Sequence, residues 1–265
     1  MKKIIATLSL IAVLVGACNR SQENTVVETT EEITVKQGAE IEYILYDIAV
    51  ASEDIIDSKM DGMIGGRTEN CGTIQNNTVT RVLTADFGQG CGFSPSLLRK
   101  GKMIINYELD NSKRRITFDN YSINGYKIEG SVGVSEITRI STDRSATYLA
   151  NNLIVTRPNG SQFTISMFQR NTTIKEKDKG LADNEIISNG YFSSTNSANE
   201  KFSIFTDNIT VRGNCVESGI LTPFIGLYRI QLPSKDETQL RFGRGACSKE
   251  ATLVIGSTSR VITLP

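Results

Sequence analysis

From Cys71 to the C-terminus, short runs of β-branched and aromatic residues alternate with turn signals roughly every 8 to 15 residues. "TVTRVLTADF", "KMIINYEL", "KFSIFTDNITVRG" and "ATLVIG" are such runs. Side chains of this shape suit a pleated, half-buried surface. The rhythm predicts a mainly β fold, an antiparallel sandwich or extended meander. Asn124-Gly125 marks a two-residue hairpin turn, because both positions of that turn need positive φ. The turn pairs Tyr121 with Ile128 on one apolar face, while Ile116 and Phe118 have the opposite parity. Either this hairpin is buried on both faces, or a bulge near Asp119-Asn120 re-registers it. Pro158-Asn159-Gly160 marks a second hairpin.

One segment breaks the β pattern. Over residues 39–58 the spacing of Ile41, Ile44, Leu45, Ile48 and Ile55 predicts one amphipathic helix. Glu40, Glu42, Asp47 and Glu53 fall mostly off its apolar face, so the helix should cover a sheet face or edge. The β-rich domain is then residues 39–265. Its two halves, 71–174 and 186–265, are separated by the charged break "KEKDKGLADNE" at 175–185.

Ahead of the domain, Lys2 and Lys3 precede the apolar run Ile4–Val15 and then Gly16-Ala17-Cys18. This order reads as a lipoprotein signal peptide over residues 1–17, with Cys18 as the lipidated mature N-terminus. The run is too short to span a bilayer. Acyl chains of the palmitate type would anchor the chain, at about 0.8 kcal/mol per buried methylene. Residues 18–38, polar and rich in Glu and Thr, read as a flexible tether. Asn19, where an aspartate is absent, fits an outer-membrane lipoprotein of the cell envelope, facing the periplasm or the surface.

The chain contains no histidine and no tryptophan. Ser-His-Asp and Cys-His nucleophiles, histidine zinc sites and histidine bases are therefore excluded. With 29 basic and 29 acidic residues there is no basic footprint for nucleic acid.

Four cysteines remain for the domain, and four allow three pairings. A repeat chooses among them. Cys71 is followed by strands, Phe87-Gly88-Gln89-Gly90 and Cys91; Cys215 by strands, Phe242-Gly243-Arg244-Gly245 and Cys247. The internal pseudo-repeat predicts two local bridges, Cys71–Cys91 and Cys215–Cys247, each contributing about 3 to 4 kcal/mol. The glycines suit sharp turns with positive φ beside each bridge. Asp86-Phe87-Gly88 lacks the other motifs of a kinase. "GQGCG" lacks the following helix of a dinucleotide site. No CxxC pair supports a metal site. No cofactor, metal or catalytic residue is assigned.

The motifs Asp86-Phe87-Gly88, Lys100-Gly101-Lys102, Phe118-Asp119-Asn120-Tyr121, Asn124-Gly125 and Lys127-Ile128-Glu129-Gly130, with the cysteine-flanked second copy, resemble a group of predicted lipoproteins of Bacteroidetes-type bacteria. The resemblance covers roughly residues 40–265 and implies an exported β-rich lipoprotein, with no activity or substrate attached. Arg241 stands where similar chains carry Asp, and Ala246 is inserted before Cys247. Three functions stay open. The first is a membrane-anchored, non-enzymatic binding or envelope-structural module with a protein or glycan partner. The second is a carboxylate-dependent glycan-active enzyme using Asp86, Asp119 and Glu129. The third is a lipid or lipoprotein carrier with an open apolar cavity.

Overall fold

The computed structural model describes residues 29–60, 72–92, 97–175, 184–197, 199–218, 220, 222–233, 235–243 and 246–264. Cys18, Cys71, the 1–17 segment and residues 176–183 of the charged break lie outside them. Within the described residues one long helix, α1 (Thr30–Met60), is followed by fifteen strands in one sheet. These are β1 (Thr73–Asn77), β2 (Val82–Asp86), β3 (Cys91–Gly92), β4 (Leu98–Tyr107), β5 (Arg114–Ile123), β6 (Tyr126–Glu129), β7 (Ser131–Ile140), β8 (Asp143–Thr156), β9 (Gln162–Lys175), β10 (Glu185–Thr195), β11 (Lys201–Arg212), β12 (Ile225–Gln231), β13 (Thr238–Phe242), β14 (Glu250–Ile255) and β15 (Thr258–Thr263). A one-turn helix, α2 (Gly213–Glu217), lies between β11 and β12.

The sheet is an antiparallel meander, β1-β2-β4-β5-β6-β8 and then β9 to β15 in chain order, with β3 on β4 and β7 between β5 and β8. It is continuous across the charged break: β9 and β10 pair from Lys175↔Glu185 onward. The two halves read from sequence are thus one sheet, because the ladder simply resumes on the far side of the loop. Asn124 (φ 49°) and Gly125 (φ 84°) form the expected tight turn. The register between β4 and β5 shifts between Lys100 and Lys102, opposite Asn120 at φ 51°. That bulge lets Ile116 and Tyr121, of opposite parity, both face inward and be buried. Further shifts occur at Ser135/Thr138, Ser188/Gly190 and Asp207/Thr210. Bulges bend the strand that carries them, so several in neighbouring strands help the sheet curl.

The sheet curls around α1. Every residue from Ile41 to Glu53 is buried, as a helix must be when it is enclosed on all sides. Ile41, Ile44, Leu45 and Ile48 are packed as the periodicity predicts, at 4% exposure or less. The expected polar face is not there. Glu42, Asp47 and Glu53 are 2%, 0% and 3% exposed. The helix also starts earlier than residue 39. Thr29 and Glu32 form a capping box, the Glu32 amide donating to Thr29 Oγ1 (3.3 Å) and the Thr29 amide to Glu32 Oε2 (3.1 Å). Residues 30–38, read as tether, are therefore its first turns. No helix among the described residues is long and apolar enough to cross a membrane.

Candidate functional site

The helix carries eight acidic residues against two lysines, and strands answer with arginine. Asp47 accepts from Arg99 of β4 (Nε 2.8 Å, terminal nitrogen 2.7 Å) and from the Tyr121 phenol of β5. Glu53 accepts from Arg114 of β5 at 2.5 Å and from Tyr148 of β8 at 3.3 Å. Glu40 takes Arg157 (2.8 Å) and Tyr126 (3.2 Å). Glu42 takes Arg170 of β9 at 2.5 Å, and Asp57 takes Arg139 and Arg144. At the N-terminal end Glu31 meets Lys235 at 2.8 Å and Glu32 meets Arg260 of β15 at 3.1 Å.

These groups perturb one another. Burial alone would pull the Arg99 guanidinium down, but Asp47, with Tyr121 beside it, holds it up. Arg170 is held up by Glu42 against the same cost of burial. Burial first, and then the Asp47 and Glu53 carboxylates, push the Tyr121 and Tyr148 phenols well up. Tyr126 is pushed up to about 12 by burial and by Glu40. Perturbed groups mark active sites or structural ion-pair networks. The pocket lined by Ala51, Asp54, Ile55, Phe87 and Arg99 has room for about one water molecule. The ion pairs join the helix to residues on and between several strands, so the ladder fastens the helix in the sheet.

The three carboxylates singled out from sequence lie elsewhere. Asp86 caps its own turn, accepting from the Gly88 amide at 2.9 Å, and sits 3.4 Å from Lys102. Asp119 is exposed and stands on the other side of Lys102 in the same cross-strand row. Glu129 is exposed and bonded to Lys127 at 3.0 Å. A lysine thus stands between Asp86 and Asp119, and another occupies Glu129. No group of three His, Cys, Asp or Glu among the described residues comes together to hold a metal.

The repeated motif takes similar form in both copies. Phe87 and Phe242 are buried at the ends of β2 and β13, and each is followed by a glycine at positive φ, Gly88 at 57° and Gly243 at 33°. Cys215 and Cys247 are bridged, with Cα atoms 5.2 Å apart. Cys215 lies in α2 rather than in a strand. Cys91 is disulfide-bonded, and Cys71 lies outside the described residues.

The outer, solvent-facing side of the sheet carries a feature that strand alternation alone did not single out. Tyr191 of β10 and Phe205 of β11 are cross-strand partners, with ring centroids 6.1 Å apart. Phe205 is 49% exposed. The Tyr191 hydroxyl donates to the Met167 sulfur at 3.5 Å. The register extends the row to Gln169 on β9 and Arg229 on β12. Arg229 pairs with Asp207 at 3.4 Å. The sequence signal was present: Tyr191 and Phe205 share the parity of Ser193, Ser203 and Asp207, the polar side of their strands. Comparison with family models, with curated proteins and with solved structures finds no match to this chain.

Proposed function

We propose that the chain is an exported, lipid-anchored binding module of the cell envelope that works without catalysis, through its outer surface. The observation that carries this reading is the occupied interior. α1 fills the concave side of the sheet, and Glu32, Glu42, Asp47, Glu53 and Asp57 are paired with strand arginines. A carried lipid would need an apolar cavity of several hundred cubic ångströms, and a glycosidase would need two convergent carboxylates about 5 to 10 Å apart across a cleft. A water-sized pocket and lysine-paired surface carboxylates meet neither need. The signal-like N-terminus, with Cys18 as acyl acceptor, and the motif resemblance support the anchor and the envelope location. The disulfide supports an oxidising compartment. The repeat and the bonded state of Cys91 support Cys71 as its partner.

The test is fractionation of cells making the wild-type and Cys18→Ser chains, followed by organic extraction and glycan digestion assays. The chain should sediment with membranes only when Cys18 is present, carry no extractable lipid beyond its own anchor, and release no reducing ends. A stoichiometric acyl lipid from Cys18→Ser protein would favour a carrier. Hydrolysis abolished by Asp86→Asn or Asp119→Asn would favour an enzyme.

A further inference from the structure

We infer that Asn159, at the tip of the β8–β9 hairpin, is a site of spontaneous deamidation, and that the change loosens the hairpin's hold on the helix. The chain has three Asn-Gly steps, at 124–125, 159–160 and 189–190. At such a step the glycine amide nitrogen can attack the side-chain carbonyl carbon, because no Cβ shields that nitrogen. The fold sorts the three. Asn124 is tied to β4: its side-chain oxygen accepts from the Leu98 amide at 2.7 Å, and its own amide donates to the Leu98 carbonyl at 2.8 Å. Asn189 lies inside β10, with its oxygen taken by the Asn208 amide of β11 at 2.7 Å and Gly190 paired with strands on both sides.

Asn159, Gly160 and Ser161 are all exposed, and the space where a Cβ of Gly160 would stand is open. The Asn159 side chain finds its partners within its own turn. Its oxygen accepts from the Ser161 amide at 3.0 Å and from the Ser161 hydroxyl at 2.8 Å. Accepting from the amide two residues on folds the side chain back over the Gly160 nitrogen. Two donors on the carbonyl oxygen also stabilise the negative charge that gathers there when the carbon is attacked. The bond from the Gly160 amide to the Arg157 carbonyl, 2.9 Å, must open first. It belongs to an exposed tip, where local opening costs less than in a strand interior.

The reaction needs water alone. The Gly160 nitrogen bonds to Asn159 Cγ, the side-chain Cγ–N bond breaks, and the amide leaves as ammonia with the proton that the Gly160 nitrogen gave up. Water then opens the cyclic imide at one carbonyl or the other, giving aspartate or isoaspartate. Aspartate keeps the backbone, and Pro-Asp-Gly suits the same turn. Isoaspartate adds a methylene to the backbone between Arg157 and Ser161. Across that loop the Arg157 amide donates to the Ser161 carbonyl at 2.8 Å. The Arg157 guanidinium holds Glu40 of α1, with Nε at 3.0 Å and a terminal nitrogen at 2.8 Å. Lengthening the loop displaces the residue that carries this clasp.

Incubation of the full mature chain at mildly alkaline pH, followed by peptide mapping with mass spectrometry, tests the site. Deamidation should appear first in the peptide holding Asn159, about tenfold or more faster than at Asn124 or Asn189. Ser161→Ala, which removes one donor, should slow it about threefold or more. The isoaspartyl form, separated by chromatography, should exchange the α1 amide hydrogens around Glu40 faster than fresh protein does. Asn159→Asp, with the same charge and an unaltered backbone, should not. Deamidation at Asn124 or Asn189 as fast as at Asn159, or none at Asn159, overturns the site. An unslowed Ser161→Ala overturns the activation given to the hydroxyl, and unchanged exchange in the isoaspartyl form overturns the link to the helix.

Discussion

Asp47 and Arg99 are 52 positions apart in the chain, and the guanidinium reaches the carboxylate at 2.7 Å with both side chains almost wholly buried. Taking two charges out of water costs several kcal/mol each, which their attraction offsets only with good geometry and further hydrogen bonds. Here the second carboxylate oxygen is satisfied by Tyr121. Such a pair adds little net stability but is costly to break. Asp47→Asn should destabilise the fold by about 3 to 5 kcal/mol, because Arg99 is left charged and uncompensated. The double variant Asp47→Leu/Arg99→Met should recover most of that loss. Urea denaturation of the two variants side by side checks it. A single variant as stable as the wild type would mean that the pair is not holding the helix.

Alkaline pH should loosen the same ladder. A free phenol titrates near pH 10, whereas burial and a nearby carboxylate push Tyr126 up to about 12 and Tyr121, Tyr148 and Tyr228 well up. Above about pH 10 the unfolded chain therefore binds fewer protons than the folded one, and stability falls as pH rises. The contribution is complete below about pH 10 and is lost progressively up to and beyond pH 12. Tyrosinate absorbance followed together with circular dichroism tests this. The buried phenols should ionise only as the β signal is lost. Ionisation of all tyrosines near pH 10 with the fold intact would refute it.

Gly101 should tolerate no side chain. It sits at φ 73° on β4 opposite the β5 bulge, and a Cβ there would be driven into the Asn120 carbonyl of β5. Backbone on both sides of the clash leaves nothing flexible to move. Gly101→Ala should cost about 2 kcal/mol or more. Gly160 has a similar φ of 84° but open space around it. Gly160→Ala should therefore cost about 1 to 2 kcal/mol, the conformational penalty alone. Thermal unfolding should rank the two in that order.

Removing the Cys215–Cys247 bridge should cost about 2 to 4 kcal/mol. The loss should centre on β12 and β13, the strands enclosed by the bridged loop. Hydrogen exchange in Cys247→Ser should show faster exchange there, with β4 and β5 little changed. Non-reducing peptide mapping of the wild type should also return a Cys71–Cys91 peptide. A peptide joining Cys91 to Cys18 would replace that pairing.

Local signals were legible in the sequence. Asn124-Gly125 declared its turn, and the parity conflict between Ile116 and Tyr121 pointed to the bulge at Asn120. The 3.6-residue period found the packed face through Ile41, Ile44 and Ile48. Glu42, Asp47 and Glu53 were misread as solvent-facing because nothing within the helix says that it is enclosed. The corresponding signal lies far away, in Arg99, Arg114, Arg144 and Arg170 at buried strand positions. An acidic helix and arginines on the inward parity of several strands form one pattern only when read together. The start at Thr30 was missed for a smaller reason: Thr29-x-x-Glu32 is a capping box, but no apolar period announces it. The aromatic pair was hidden because adjacency across β10 and β11 depends on a register that the sequence of either strand alone does not fix.

The contact between Glu32, in the first turns of α1, and Arg260, in the final strand, bears on the order of synthesis. The helix leaves the ribosome first and cannot be satisfied until the last strand has arrived. Through most of its production the chain carries an acidic helix whose partners do not yet exist. Strand pairing can proceed in chain order, hairpin by hairpin, but closure around the helix depends on completion. A chain cut short before β15 would leave Glu32 without Arg260 and the edge of β14 without its partner strand. Such a product is a ready substrate for proteases, so the wrapped helix doubles as a check that the whole chain has been made.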